Sequence, residues 1–506
     1  MFPIEFLQRT ARRQPEGLAV DDGTVSLSYS QLVIQANALG AGFQQTTGSN
    51  RLKVGLCGFN TLPQLLSYFA IHAAGGVMIP LNPRNSKQDI ERQIELTAPD
   101  IIVVDENCLH LLADVHGPKI VVGSGTSLGE VFSTQGLIES HSGNAPQWPA
   151  VAVEDINAIK FTGGSSGAPK GVMQTFRVLN AVALSILMTY QFTSSENFLC
   201  AAPLTHGSGS FLFPTLYRGG RITLLAQPTG LGMFDALAHG GATSTWLPPT
   251  VAYAIMDAAA GQAPEFRHLN MVIYGGAAMP EDKLRRMREL FNGCIGTDYG
   301  QTEVSTIVTG MGPDEMAFDE NLLSAGRTTP LTGTAIIDDR GNHLPPDEMG
   351  EIIVSGDLLM KGYYKMPEET AKTIKDGWLY TGDIGYFDER GYLFIKDRLR
   401  DVVISGGFNV YPSDVENGLC EHPDIYECVV FGIADAKWGE RVEAAVQLRD
   451  GASTPPTAII EFAKTRLGST KAPKAVHILA DLPRSPVGKV QRREVKAMFE
   501  QREVDE

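Results

Sequence analysis

Between Arg51 and Tyr274 the chain alternates short apolar runs with longer amphipathic ones, and this rhythm restricts the fold more than any other feature. "RLKVGLCGF" reads as a strand, "TLPQLLSYFAIHAAG" as a helix, "VMIPL" as a strand, "QDIERQIELTAP" as a helix and "DIIVVDE" as a strand. The same order returns with apolar helix material over 181–192, then "RITLLA" and "LNMVIYGG". Strands separated by helices pair mostly in parallel, so an α/β architecture is expected. The chain has 506 residues, 43% of them apolar. That is too long for one compact core, and at least two domains follow.

After about Ala325 the texture changes. "TGTAIIDDRGNHLPPDEMGEIIVSG" and "GWLYTGDIGYFDERGYLFIKDR" hold short strands joined by Asp- and Gly-containing turns, the pattern of an antiparallel, barrel-like section. "DRLRDVVISGGFNVYP" then runs through alternating charge, glycines and proline, and a domain boundary is placed there. The expected organisation is a large N-terminal domain over 1–399, built of α/β subdomains with a distorted β-barrel section, and a small mobile α+β domain over 400–506.

Charge and cysteine usage exclude several function classes. A formal net charge of −16 argues against a broad nucleic-acid or anionic-membrane surface, while local Lys and Arg can still serve small anions. The six cysteines are scattered, without CxxC spacing or a His cluster. Reduced thiols in a cytosol fit this better than disulfides or zinc, and a cytoplasmic location is expected. "MFPIEFLQRTARRQPE" mixes Arg9, Arg12 and Arg13 with Glu5 and Glu16, and reads as a short amphipathic helix rather than a transit peptide. The most apolar stretch, "QLLSYFAIHAAGGVMIPL", carries Gln64, His72 and paired glycines, so no integral membrane association is expected.

Four motifs carry chemistry. "FTGGSSGAPKGV" follows the apolar run "AIKF" and gathers glycines, two serines and Lys170 into one loop. Glycine lets the backbone approach a phosphate and turn its N–H groups inward. It is not the P-loop pattern, because Lys170 follows Pro169 and precedes a glycine. A Gly-rich surface turn is the plain alternative. "TDYGQTE" offers Glu303, a hard oxygen ligand suited to Mg²⁺ beside phosphates, or simply a solvated carboxylate. "YTGDIG" offers Asp383, able to accept hydrogen bonds from a ribose diol, or an ordinary turn residue. "LPRSPVGKVQRRE" holds Lys489 in a loop near the C-terminus, where a lone lysine is more often merely exposed.

In this order and at these separations the motifs resemble the adenylate-forming superfamily, closest to acyl- or aryl-CoA ligases. "GGVMIPLNPR", "APLTHGSGS", "VIYGGAAMP", "DRLRDVVISGGFNVYPSDVE" and "KWGERV" extend the likeness over essentially the whole chain. The resemblance implies an acid–thiol ligase using ATP, Mg²⁺ and CoA, which activates a hydrophobic small-molecule carboxylic acid as acyl-AMP and passes the acyl group to CoA. It implies that Thr162, Gly163, Gly164, Ser165, Ser166, Gly167 and Lys170 cradle phosphates. Glu303 would bind Mg²⁺ with Thr162 nearby. Gly276, Ala277 and Ala278 would line the adenine, Tyr299 would lie against its face, and Asp298, Gly300, Gln301 and Thr302 would complete the nucleotide site. Asp383 would take the ribose hydroxyls and Arg398 the ribose or phosphate. Lys489 would bridge the substrate carboxylate and the α-phosphate, and His206 would gate or orient.

The resemblance also places Gly407, Trp438, Arg84 and Lys471 near CoA, and makes Arg400 the hinge on which the small domain turns. Asp or Lys is usual at that hinge, so arginine is a departure that keeps a long polar side chain. The acid pocket would draw on His206, Gly207, Ser208, Gly209, Trp246, Tyr274 and Gly275. These residues are mainly small, apolar or aromatic, which points to a hydrophobic acid and leaves room for a bulky one. "PLTHGSGS" lacks the acidic residue that peptide-synthetase adenylation domains usually place there. Three alternatives stay open: a ligase performing only thioesterification on supplied acyl-AMP, an enzyme acylating a carrier protein, and a non-catalytic acyl-adenylate binder. A homodimer is compatible with all of these readings.

Overall fold

The computed structural model describes residues 2–123, 132–162, 169–226, 228–260, 262, 265–485 and 489–500. Two large sheets form first. One has nine strands in the spatial order Arg327–Thr328, Thr309–Met311, Ile295–Tyr299, Met271–Tyr274, Ser244–Leu247, Asn197–Cys200, Arg221–Leu224, Leu18–Asp21, Ser26–Ser28. Neighbours are parallel from Ile295–Tyr299 to Leu18–Asp21 and antiparallel at both edges. The other has eight strands, in the order Gly362–Tyr363, Gly171–Thr175, Ile156–Phe161, Val77–Pro80, Lys53–Cys57, Ile101–Val104, Lys119–Val122, Phe132–Ser133. It is parallel except at the Gly171–Thr175 edge.

The expected alternation is present, and its physical basis is burial on both strand faces. Val77–Pro80, Ile101–Val104 and Met271–Tyr274 are buried at every position, as strands covered by helices on both sides must be. Helix Leu62–Ala73 is buried along almost its whole length, which is why its sequence reads as nearly membrane-like. Among the described residues no helix is long and apolar enough to cross a membrane. Helix Tyr29–Thr47 shows how local signals set the boundaries. Ser28 and Gln31 form a reciprocal capping box at its start, and Gly48 ends it with φ 69°.

Residues 332–398 form a five-stranded antiparallel sheet from Thr332–Ile337, Gly350–Gly356, Ile374–Lys375, Trp378–Phe387 and Leu393–Arg398. A single turn of 3₁₀ helix, Leu399–Asp401, separates it from a further sheet of Val403–Ser405, Phe408–Val410, Ile425–Asp435, Gly439–Leu448 and Ala475–Leu479. Helices Pro412–Cys420 and Pro456–Lys471 pack on this last sheet around a core of its own that includes Val403, Val415, Val430, Val446, Ile459 and Ala463.

One cation spans the turn between the two sheets. The Arg492 guanidinium meets Asp397 at 3.3 Å, Asp401 at 3.0 Å and Glu416 at 2.8 Å. Asp397 lies on the last strand of the antiparallel sheet, Asp401 ends the turn and Glu416 belongs to the segment beyond it. Removing the arginine leaves three neighbouring carboxylates without their counter-charge, a change that costs about 3 kcal/mol when a partly buried pair is broken. Arg492→Ala should therefore speed amide hydrogen exchange in the 403–479 strands by about 10²-fold. Unchanged exchange there would mean that the cluster does not stabilise this part.

Candidate active site

The site forms where the parallel strands of both large sheets end, the usual place for a ligand crevice in open α/β sheets. Strand Asn197–Cys200 runs into the loop "AAPLTHGSG", Met271–Tyr274 into Gly275–Ala278, and Ile295–Tyr299 into Gly300–Glu303. Asn60, from the other sheet, fixes the first of these loops. Its Nδ2 donates to the carbonyls of Cys200, Ala201 and Ala202 at 3.0, 3.1 and 2.9 Å, and its Oδ1 accepts the Leu204 N–H at 2.9 Å. Nothing in the local sequence pattern singles Asn60 out, because its partners lie some 140 residues away.

On one side of the crevice stands a carboxylate suited to a diol. Asp383 is buried, and its Oδ2 accepts the Tyr299 hydroxyl and the Gln301 amide N–H, each at 2.7 Å. Its Oδ1 lies 3.4 Å from the Arg398 Nε. Gly276, Ala277 and Ala278 are exposed beside it and line an open cleft. Thr302 presents its carbonyl to the Gln174 amide at 3.1 Å, and Gly300 is required because a Cβ there would meet the Thr306 carbonyl oxygen at 2.4 Å.

The glycine loop closes on itself where the Thr162 N–H donates to the Lys170 carbonyl at 3.1 Å. Gly163, Gly164, Ser165, Ser166 and Gly167 lie outside the described residues. The Lys170 ammonium sits over the Tyr363 ring and pairs with Glu369 at 2.8 Å. The Tyr363 hydroxyl donates in turn to Glu303 Oε1 at 3.0 Å. Glu303 and Thr162 supply oxygen donors of the kind Mg²⁺ takes when substrate phosphates complete its shell. Among the described residues no group of three or more His, Cys, Asp or Glu could form an all-protein cage, so the donor set fits a cation shared with phosphates.

On the other side, Trp246 changes the expected picture. A Cβ on Gly207 would lie 2.4 Å from its indole ring, and one on Gly276 would lie 3.7 Å away. The indole thus fills the room that the small residues leave, so that space is not open for a bulky acid. The Trp246 Nε1–H donates to Asp298 Oδ2 at 2.9 Å, and a Cβ on Gly275 would lie 1.9 Å from Asp298 Oδ1. Asp298, expected among the nucleotide contacts, faces Trp246 and Gly275. Burial pushes its carboxyl up to about 8, with the indole N–H pulling the other way. Tyr274 and Ser208 are buried in the same wall.

His206 stands at the edge of this wall, its Nδ1 3.0 Å from the Thr205 hydroxyl. Burial lowers its imidazole to about 4, with Lys160 and Lys489 adding to the effect, so it is neutral at physiological pH. Behind it is a small cavity lined by Lys160, Tyr68, Gln174, Thr205, Gly209 and Ser210, with room for about one water. Lys160 precedes the glycine loop by a few residues, and the sequence gives no sign that it faces inward.

The remaining group arrives from the far end of the chain. A Cβ on Gly276 would lie 3.7 Å from the Lys489 Nζ. Lys489 therefore reaches the crevice from the segment beyond the 3₁₀ turn. Among the contacts that dock that segment, the Tyr426 hydroxyl donates to Asp257 at 3.0 Å, and Lys283 lies 4.8 Å from the Tyr426 ring centroid. The protein crowding the Lys489 ammonium lowers it to about 8, with Arg398 adding to this and Asp383 opposing it, although water still reaches the residue.

Of the residues expected near CoA, Gly407 and Trp438 lie on neighbouring turns, where the Gly406 N–H donates to the Trp438 carbonyl at 2.7 Å. Gly407 has φ 81° on an exposed turn, with nothing within 4 Å of a Cβ. Trp438 is half exposed, with Lys437 and Lys474 over its ring. Arg84 is exposed, and Lys471 pairs with Asp414 at 2.9 Å.

A strand-end crevice holding the buried Asp383 carboxylate, reached by Lys489 from the C-terminal segment, agrees with the adenylate-forming class. The chain belongs to the family of AMP-binding enzymes: residues 7–364 match the AMP-binding enzyme domain and residues 414–489 the AMP-binding enzyme C-terminal domain. It is 31% identical to a medium/long-chain-fatty-acid–CoA ligase of Mycobacterium tuberculosis, covering 94% of this chain and 85% of that one. It is also 31% identical to a feruloyl-CoA synthase of Amycolatopsis sp, covering 97% and 98%. Among solved structures it is similar to an amide bond synthetase of Marinactinospora thermotolerans, with TM-score 0.88, 27% identity and coverage of 99% and 100%.

The Lys489 environment predicts a pH profile. The ammonium is charged below about 8 and loses its proton as pH rises through that value. Without CoA, so that no thiol titrates, kcat/KM for acyl-AMP formation should fall on the alkaline side with an apparent pKa near 8. In Lys489→Arg that limb should vanish, because guanidinium stays charged. A limb that persists in the variant belongs to another group. No acid limb from His206 is expected above pH 5.

Proposed function

We propose that this protein is an ATP-dependent acid–CoA ligase that forms an acyl-AMP and then transfers the acyl group to CoA. The observation that carries this reading is the position of Lys489 beside Gly276, between the diol-binding carboxylate and the Trp246 wall. Relatives named as acid–CoA ligases over nearly the full chain support it. In the first step a carboxylate oxygen of the acid attacks the α-phosphorus of ATP. The bond to the bridging oxygen breaks and pyrophosphate leaves. Lys489 holds positive charge where negative charge builds, which is where a fixed cation contributes most. In the second step the thiol sulfur attacks the acyl carbon, the bond to the AMP oxygen breaks, and the thiol proton passes to solvent.

Glu303 and Thr162 are the residues that would hold Mg²⁺, which offsets phosphate charge when bound. Asp383 with Arg398 would hold the ribose, and neutral His206 would orient the acyl group rather than exchange protons. The protein is taken to work in the cytoplasm, a reading supported by six unpaired cysteines.

The two steps need different partners at one acyl carbon. With Lys489 in the crevice, Gly407 faces solvent. Ile404 and Phe408 on the same segment are 57% and 64% exposed, and Leu399 in the connecting turn is 54% exposed. Such apolar exposure is relieved if the segment beyond 399 turns as a lid about Arg400 and presents this face to the crevice.

Two measurements separate the steps. Lys489→Ala should cripple acyl-AMP formation and leave thioester formation from supplied acyl-AMP largely intact, while Gly407→Leu should do the reverse. Equal loss of both half-reactions in either variant would refute the division of labour. Arg400→Pro fixes φ at the turn and restricts Leu399 before it. Near-normal acyl-AMP formation with thioester formation slowed by about 10²-fold, roughly 3 kcal/mol, is expected. Unchanged overall turnover would show that Arg400 is not the pivot.

A further inference from the structure

Asp298 is not explained by the two-step chemistry. It is 6% exposed and lies on strand Ile295–Tyr299, facing Trp246 and Gly275. An ionised carboxyl accepts about four hydrogen bonds. Among the described residues its only donor is the Trp246 indole, on Oδ2 at 2.9 Å. Oδ1 rests against Gly275, where any larger residue would collide with it. A buried carboxyl with a free acceptor is costly beside a purely hydrocarbon ligand and favourable beside a donor. Burial raises its carboxyl to about 8, so before a ligand arrives the group is largely protonated, and a donor on the ligand favours the ionised, accepting form.

The placement gives the donor an address. The benzene edge of Trp246 faces both Gly207 of the His206 loop and Gly276, and the Lys489 ammonium borders that same point at Gly276, while the Nε1 end of the ring lies at Gly275. Asp298 holds the Nε1 end of this ring at Gly275, one residue from the point that Lys489 approaches. An acid lying along the indole with its carboxylate at Lys489 would pass Asp298 within its first few atoms.

We propose that Asp298 determines specificity by accepting a hydrogen bond from a hydroxyl or amino group on the carboxylic acid substrate. The substrate class is then a donor-bearing acid, aromatic or similarly flat where it meets the indole, rather than a plain fatty acid. This rests on the ligase reading above and narrows it.

The plain alternative is that Asp298 only anchors Trp246, and the test separates the two. Asparagine can still accept the indole N–H through its amide oxygen but turns an NH₂ toward the ligand. Matched acids that differ only in one substituent, hydroxyl, amino or hydrogen, are compared by CoA-independent pyrophosphate release. Suitable series are hydroxy-, amino- and unsubstituted benzoic acids and the corresponding 3-phenylpropanoic acids. In the wild type the best donor-bearing acid should exceed its unsubstituted partner by about 10²-fold or more in kcat/KM, since sites built around a hydrogen bond reject analogues lacking it strongly. Asp298→Asn should cut that ratio to below about 10-fold. Trp246→Phe, which keeps a ring and frees the carboxyl, should retain the preference. The hydroxyl and amino arms distinguish a neutral donor from an ammonium. A wild-type ratio near unity, or a ratio unchanged in Asp298→Asn, overturns the proposal and leaves the ligase reading intact. No pyrophosphate from any acid overturns the ligase reading, and this inference with it.

Discussion

The Lys489 ammonium beside Gly276 is the contact on which the rest depends. The rest of the crevice is delivered by strand ends of the two large sheets and by Asp383 and Arg398 of the antiparallel sheet. The lysine alone comes from the segment beyond the 3₁₀ turn, and it is held there by docking rather than by covalent proximity. That docking includes a hydrogen bond from Tyr426 to Asp257, Lys283 over the Tyr426 ring, the Ser413 N–H on Asp397 at 2.8 Å and the Arg492–Asp397 pair. On the proposed reading, in which the segment turns between steps, its cation can serve one step and withdraw for the next. A cation on a sheet strand could not.

The acid side obeys the opposite logic. Trp246, Gly275 and Asp298 lie on three adjacent parallel strands or their ends, so their spacing is fixed by the sheet. Asn60 ties the His206 loop to the other sheet through four hydrogen bonds. On the proposed reading, selectivity would rest on the sheet strands and the change between steps on the C-terminal segment. A neutral His206 between them offers shape and a hydrogen bond without adding charge.

Much of the fold could be read from sequence, because period and burial coincide. Runs such as "IIVV" and "VMIP" are apolar throughout and are strands covered on both faces, and Gly48 and Ser28 mark helix ends by local chemistry. Site residues carried by a local motif, such as Asp383 and Lys489, could also be placed. What could not be read depends on partners far away in the chain. Asp298 sits inside a motif otherwise associated with the nucleotide, yet its side chain answers to Trp246, 52 residues earlier. Gly207 suggests space only until the indole across the sheet is seen to fill it. Lys160 and Asn60 give no local signal, because cavity lining and loop pinning follow from packing of one sheet against another.

The central claim is that one chain carries both steps, with the acyl-AMP formed first and independently of the thiol. Acid-dependent exchange of labelled pyrophosphate into ATP, measured without CoA and followed by a CoA chase in a single turnover, tests it most directly. Exchange should proceed with no CoA present, and the chase should convert the accumulated acyl-AMP to thioester with release of AMP. Exchange that requires CoA, or acyl-AMP that accumulates and is never passed to the thiol, would contradict it.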